Sequence, residues 1–218
     1  GESWNGVYAR MKSQVAGLFN DRDAFESRFA VFPLAPVSSC VALGYLLTSR
    51  PKTRLFQYHR DEQGWKWPVG SLGTERISVT GFPRTPIVKR GNVAICFGIS
   101  ADIPTRQIAE LKHNFLGKII VSAPYPSTAW LRSERQVIDL ARVGRETFER
   151  CASSFPKADR WHLFCAVPAP VAVSLGQQLN PTMSPAVQLY EFNRGARPSY
   201  RASILLGSDN NGGVNGTE

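Results

Sequence analysis

The sequence predicts an α/β chain: two tandem Rossmann-like βαβ halves related by a pseudo-two-fold duplication, behind an N-terminal helix. Three observations carry that expectation. Short apolar, strand-like runs alternate with helix-periodic stretches; one strand–helix–strand unit recurs at an offset of 132 residues; and the composition can fill a core. Of 218 residues 43% are hydrophobic and 20% charged, with 26 Lys and Arg against 17 Asp and Glu for a formal charge of +9. A chain of this size buries roughly 70% of its unfolded surface, so a globular domain is expected. No window approaches ~18 uninterrupted apolar residues, and Gly-Glu-Ser-Trp is no cationic-plus-apolar leader, which argues against membrane spanning and secretion. Cys40, Cys96, Cys151 and Cys165 form no C-x-x-C pair and read as reduced thiols in a cytoplasm. With His59, His113 and His162 as the only histidines, neither a structural zinc site nor any other cofactor is expected. The missing initiator Met points to a fragment of something longer.

The elements follow in order. Trp4, Val7, Tyr8, Met11, Val15, Leu18 and Phe19 fall at helical spacing with Ser3 as N-cap; this helix, within residues 1–27, either packs on the domain behind it or is a stalk from a missing N-terminal domain. Phe29 to Leu34 is strand-like, Val37 to Leu47 apolar almost all round, and Thr53 to Tyr58 alternates, giving a βαβ unit. From Asp61 to Gly91, Gly64, Gly70, Gly73, Gly81, Pro83 and Pro86 break up β-prone pieces such as Ile77 to Thr80, so hairpins and loops are expected. Asn92 to Ile99 reads as a buried strand, Pro104 to His113 as a helix with Pro in its first turn, and Lys118 to Ala123 as another buried strand. Ser133 with Gln136 makes a capping box, after which Val137, Leu140, Ala141, Gly144, Phe148 and Cys151 share one helix face. Trp161 to Val167, Val171 to Leu179 and Val187 to Phe192 repeat strand, helix, strand, and Tyr200 to Leu206 adds a last strand. The main domain is thus placed at 28–206, its halves at about 28–91 and 92–206, and a Gly- and Asn-rich disordered tail at 207–218.

The repeat is the strongest internal signal. Placing Gly44 on Gly176 puts Phe32 on Phe164, Pro36 on Pro168, Val41 on Val173, Leu43 on Leu175 and Leu47 on Leu179. The following strands match at offset 134, Leu55 on Leu189, Phe56 on Tyr190 and Tyr58 on Phe192, with Arg60 on Arg194. A helix-interior glycine costs ~1 kcal/mol relative to alanine, so its recurrence predicts close helix-to-strand packing in both halves. Ligands of parallel α/β sheets bind beyond the carboxyl ends of the strands, where helix N-termini present unpaired N–H groups to anions. Here those loops are Leu34 to Ser39, Ser100 to Pro104, Ser122 to Thr128 and Val167 to Val171. Two facing halves would make a pseudo-symmetric pocket, and an anion that itself contains a repeated unit, such as a cyclic oligonucleotide, suits it.

The segment His162-Leu-Phe-Cys-Ala-Val-Pro-Ala-Pro-Val-Ala-Val-Ser-Leu-Gly176, with Val187-Gln-Leu-Tyr-Glu-Phe192, resembles the C-terminal signature of SAVED domains. Phe32-Pro-Leu-Ala-Pro36 through Gly44, then Leu55 to Tyr58 and Trp65-Lys-Trp67, resembles their N-terminal half, so the likeness runs from about Phe29 to Leu206. The resemblance implies two fused CARF-like modules that bind a cyclic di- or trinucleotide made by a partner nucleotidyltransferase in bacterial anti-phage (CBASS) signalling. It also implies ligand-driven oligomerisation that activates a fused effector domain, commonly a DNA nuclease, absent from this chain, and a bacterial cytoplasmic location.

Candidate ligand contacts are Trp130, Arg132 and Arg135, on the loop ahead of the long helix, and Tyr125, which like Trp130 can stack on a base while the arginines clamp phosphate. Ser38, Ser39, Ser127 and Thr128 sit where helix N-termini begin and can cap them or donate to a phosphate oxygen. Trp65 and Trp67 alternate along an expected strand, so one faces core and the other solvent or ligand, and Trp67 is taken as the contact. Pro168, with Arg194 and Arg197 after the second-repeat strand, completes the set; Arg54, Arg60, Arg84, Lys89, Arg90 and Arg201 read as solvated charge. Two rival functions stay open. G-x-G-x-x-G, G-x-x-x-x-G-K-[ST] and G-x-S-x-G are all absent, Gly98-Ile-Ser100-Ala-Asp102 lacking the final Gly, so no catalytic residue is assigned, yet a metal-independent ring nuclease or nucleotide hydrolase can work without them. A charge of +9 also permits a general nucleic-acid-binding module, against which stands the lack of any basic run.

Overall fold

The computed structural model describes residues 3–20, 23–68 and 76–207. The Ser3 hydroxyl accepts the Gly6 N–H at 3.2 Å and starts α1 (Trp4–Gly17), which lies on the rest of the domain through Trp4, Tyr8, Met11 and Val15. The segment thus packs on the domain behind it. Next come β1 (Arg28–Val31), α2 (Val37–Leu47) and β2 (Lys52–Leu55), whose strands pair in parallel as a two-stranded sheet. A six-stranded sheet follows, built from β3 (Ser78–Thr80), β4 (Gly91–Gly98), β5 (Phe115–Ser122), β6 (Ala158–Ala166), β7 (Ala186–Phe192) and β8 (Tyr200–Leu206) in the order β3-β5-β4-β6-β7-β8. Its four central strands are parallel, linked by α3 (Thr105–Ala109), α4 (Glu134–Ser154) and α5 (Ala169–Gln178), and its two edge strands antiparallel.

Side chains alternate across this sheet as a pleated strand requires. Val93, Ile95 and Phe97 of β4 join α2, α4 and α5 in the main core, whereas Ala94 and Cys96 face the other way, with Phe164, Tyr190, Tyr200 and Ile108. Both faces of the central strands are covered, which is why β4 and β6 are near-continuous apolar runs. The capping box forms as expected: Ser133 Oγ accepts the Gln136 N–H at 3.3 Å and Gln136 Oε1 accepts the Ser133 N–H at 3.0 Å. Burial pushes the Cys40 thiol up to about 11 and those of Cys96 and Cys151 to about 12, and all four cysteines are unpaired. No helix among the described residues is long and apolar enough to cross a membrane.

The duplication is visible in the register. β1 and β2 pair from Arg28↔Lys52 to Val31↔Leu55, and β6 and β7 pair from Arg160↔Ala186 to Leu163↔Leu189, the same residues once shifted by 132 and 134. The recurring glycines, however, do not pack helix on strand. They meet each other's helices: a Cβ on Gly44 would lie 1.9 Å from the Val173 carbonyl oxygen, and one on Gly176 would lie 2.0 Å from that of Val41. Val41 and Val173 are themselves repeat equivalents, so the contact is reciprocal. The reason for the difference is that α2 and α5 lie against each other, and only bare backbone admits so close a crossing.

Other expectations shift as well. β3 pairs with β5 of the six-stranded sheet, so hydrogen bonding does not divide the chain at residue 91. Between Asp61 and Gly91 the described hairpin content is small: an isolated His59↔Gly64 bridge, and no strand at Trp65-Lys-Trp67. α3 is shorter than Pro104 to His113 because Leu111 and Lys112 tighten into i→i+3 turns and Lys112 takes φ 56°; Pro104 is its N-cap, outside the first turn. The expected disordered tail, apart from Gly207, and the Gly70 and Gly73 breaks lie outside the described residues.

Behind the sheet, His162 Nδ1 lies 2.8 Å from the Tyr190 hydroxyl, which lies 3.4 Å from His113 Nε2. Burial, then the charges of His113 and Arg160, pull His162 down to about 4 from 6.5.

Two predictions follow from this packing. Gly44→Ala and Gly176→Ala should each destabilise the fold by about 3 kcal/mol or more, since the obstructing atoms are backbone, while Gly17→Ala, with nothing within 4 Å of its added Cβ, should be neutral or mildly stabilising; urea unfolding separates them. Because the folded state disfavours protonated His162, stability should be level above pH 6.5 and fall as pH drops from 6.5 toward 4, by about 3 kcal/mol in all. His162→Gln, which cannot titrate but can still pair with Tyr190, should remove that slope in the same measurement.

Candidate functional site

The carboxyl ends of the repeat strands lead directly into helix N-termini. β1 runs through Pro33-Leu-Ala-Pro36 into α2, and β6 through Val167 and Pro168 into α5; both helices have proline N-caps with no side-chain hydrogen bond to the cap. Proline suits this position because it fixes an extended φ and lacks an N–H that would go unpaired. In front of these ends lie two clefts. The first, about 500 Å³, is lined by Pro33 to Pro36, Gln57, Tyr58, Arg60 and Ala169. The second, about 650 Å³, takes Ala101, Asp102, Pro104, Arg106 and Gln107 from the β4–α3 turn, Cys165 and Ala166 from β6, and Phe192, Arg194, Arg197, Ser199 and Tyr200 from around β7 and β8.

The clefts are repeat equivalents at their centres, since Pro33 and Leu34 correspond to Cys165 and Ala166, Tyr58 to Phe192, and Arg60 to Arg194. Arg60, Arg106 and Arg194 are exposed and have no carboxylate partner among the described residues. Arg197 pairs with Glu110, whose other oxygen accepts the Ser199 N–H at 2.8 Å. Those contacts, the Ser199 N–H first, hold the Glu110 carboxyl below its ordinary range. A phosphate entering either cleft would meet an arginine and a helix N-terminus together. One helix end is already occupied: Glu191 Oε1 accepts the Ser38 N–H at 2.6 Å, an internal carboxylate at the start of α2. Gln57 stands at the equivalent place in the first repeat, so that carboxylate has no counterpart there.

The expected contacts divide accordingly. Arg194 and Arg197 line the second cleft, and Pro168 caps α5 beside the first. Ser38 and Ser39 are buried inside α2 and are not its N-cap; Ser38 Oγ is 2.6 Å from Ser203 Oγ. Tyr125, Ser127 and Thr128 lie exposed on the carboxyl-edge loop after β5, where Ser127 Oγ accepts the Ala129 N–H, but they line neither cleft. Trp130 is buried in the main core. Arg132 is engaged by Asp61 at 2.9 Å and Glu62 at 3.8 Å, and holds the Asp61 carboxyl below its usual range. Arg135 pairs with Asp139 one turn along α4, on the solvent side. Trp67 packs on the core with its indole nitrogen buried, and together with Trp65, equally half-buried, it lines a further cleft.

Residues that sequence reasoning passed over are Tyr58, Arg60, Arg106 and Gln107. The repeat pairing of Arg60 with Arg194 carried a signal for the first of the arginines. Gln136 was read only as a cap, yet its side chain also accepts the Arg132 N–H at 2.8 Å and donates to the Trp130 carbonyl at 3.1 Å, fixing the whole approach to α4. Among the described residues no cluster of three or more His, Cys, Asp or Glu side chains is arranged to hold a metal ion.

A family model described as SAVED, "SMODS-associated and fused to various effectors sensor domain", matches residues 9–206. Comparison with curated proteins gave no match. Among solved structures, the Acinetobacter baumannii Cap4 SAVED/CARF-domain containing receptor with the cyclic trinucleotide 2'3'3'-cAAA is similar at a TM-score of 0.68 and 16% identity, over 93% of this chain and 43% of that one. The same receptor with 3'3'3'-cAAA gives 0.67 and 14% over the same shares. The Moraxella osloensis Cap4 receptor gives 0.62 and 18%, over 93% of this chain and 42% of that one. The chain therefore spans less than half the length of these proteins, and at such identities the likeness is one of fold.

Proposed function

Because this chain belongs to the SAVED family of sensor domains, we propose that it binds a cyclic di- or trinucleotide, as the ligand-sensing part of a bacterial anti-phage effector. The observation that carries the reading is the pair of repeat-related clefts at the carboxyl edge, each holding an arginine without a carboxylate partner, Arg60 in one and Arg194 in the other. A ring built from repeated nucleotides offers repeated phosphates to such a pair, whereas a linear anion has no reason to use both. The Cap4 receptors, of the same fold, are complexed with cyclic trinucleotides. In this reading a partner nucleotidyltransferase supplies the ring, binding drives self-association, and a fused domain, a DNA nuclease in the leading case, is switched on. The domain binds its ligand and returns it unchanged; a ring-opening activity would instead release linear products.

Isothermal titration against a panel of cyclic di- and trinucleotides, with linear controls, tests this. One ring should bind selectively and be recovered intact. Arg60→Ala and Arg194→Ala should each weaken it by about tenfold to a hundredfold, the scale of a charge-assisted hydrogen bond, and Arg135→Ala should leave it unchanged. Equal losses for arbitrary linear DNA, with a steep salt dependence, would identify a general nucleic-acid surface instead.

A further inference from the structure

The two repeats build the same aromatic pair and treat it in opposite ways. Phe164 and Tyr190, adjacent on β6 and β7, stack with centroids 4.5 Å apart and planes 20° from parallel. They are sealed, at 0% and 4% exposure, by Ile108, Tyr200 and Phe115. Their equivalents, Phe32 and Phe56 at the ends of β1 and β2, stack at the same 4.5 Å with planes 9° apart. Here, among the described residues, no further strand of the sheet covers them, because the first-repeat sheet has only two strands, and Phe32 stays 50% exposed.

Trp65 meets Phe32 edge-on at 5.1 Å and Tyr58 at 5.3 Å, which extends the pair into a shelf of four rings. In front of it is a cleft of about 780 Å³ lined also by Trp67, Arg54, Lys66 and Glu62. The Arg54 guanidinium lies 5.2 Å from the Phe56 centroid and is tied to Glu134, while Glu62 is held by Arg132. The local carboxylates are thus already matched, and what the cleft offers is partly exposed aromatic surface with Lys66 at its rim. The shelf continues into the first of the two carboxyl-edge clefts, since Tyr58 belongs to both and Phe32 precedes Pro33 in the chain.

We infer that this shelf is a stacking platform for a nucleobase of the ligand whose phosphate is held at Arg60. The inference rests on the cyclic-nucleotide reading and adds to it which surface takes a base. A base has the shape and π-face to replace the covering layer that the second repeat has and the first lacks. Lys66 at the rim suits an attached phosphate, and the volume suits one nucleotide unit better than a folded partner. Phe32, Phe56 and Trp65 then become the residues that set base preference.

The test uses the whole chain, with the ring chosen by titration of the wild type. Phe32→Leu and Phe56→Leu keep apolar bulk and remove the ring; each should weaken binding about tenfold, with melting temperatures checked to show that the fold is kept. Ligand should quench tryptophan fluorescence in the wild type, and a double variant, Trp65→Phe with Trp67→Phe, should still bind but lose most of that quenching, since these two tryptophans line the cleft while Trp130 and Trp161 are buried. Unchanged affinity in both leucine variants, or quenching that persists in the double variant, overturns the stacking platform while leaving the sensor reading intact. Self-association that the leucine variants abolish at unchanged ligand affinity would make the shelf a protein interface and overturns it equally. A wild type that binds no ring overturns both.

Discussion

The rest of the structure depends on the crossing of α2 and α5 at Gly44 and Gly176. Each helix sets a backbone carbonyl where the other's Cβ would be, so the approach is closed to every other residue on both sides at once. The crossing point also fixes the ligand edge. Gly44 is seven residues from Val37, the first residue of α2, and Gly176 is seven from Ala169, the first of α5. At 1.5 Å per residue, both helix N-termini therefore stand roughly 10 Å beyond the crossing. The proline turns ahead of them are brought level by that equality, and both border the first cleft, through Pro33 to Pro36 and Ala169. The shape of that cleft is in this sense a consequence of one glycine used twice.

The two strand–helix–strand units match in strand register but stand in different surroundings. β6 and β7 sit inside a six-stranded sheet covered on both faces; β1 and β2 form a two-stranded sheet with one face open. The difference reaches single residues. Glu191 neutralises the start of α2, while Gln57 in the equivalent place brings no charge to its cleft. The two sides are therefore matched in backbone but not in electrostatics, and an anion placed at them would be received unequally.

What could be read in the sequence was what depends on neighbours along the chain or on the repeat. The Ser133–Gln136 cap, the Ser3 cap, the apolar runs of β4 and β6 and the 132-residue offset are all local or self-referential signals, and each has its structural counterpart. The partners of side chains were not legible, because they come from elsewhere in the chain. Arg132 looked like a phosphate clamp, but Asp61 and Glu62, about seventy residues earlier, already engage it. Trp65-Lys-Trp67 looked like a strand by alternation, yet three residues with no pairing partner make none. Trp130 followed a ligand-edge strand and proved to be core. Gly44 and Gly176 announced a close approach but not its target, since a missing Cβ says only that something is near.

The surplus of positive charge takes on meaning only after this pairing is worked through. Arg54, Arg90, Arg132, Arg135, Arg142 and Arg197 all have carboxylate partners, and exposed pairs of this kind contribute little to stability individually. Their effect is instead to remove those cations from competition for an incoming anion. Arg60, Arg106 and Arg194 stay unmatched among the described residues, and all three stand on cleft walls at the carboxyl edge. A nucleic-acid surface that worked through net charge alone would need its cations clustered in a stripe. Here several arginines are paired off elsewhere, others such as Arg76, Arg84 and Arg201 are scattered away from the two clefts, and Arg60, Arg106 and Arg194 are set singly on the cleft walls, which favours recognition of a few phosphates in fixed positions over attraction to a polyanion.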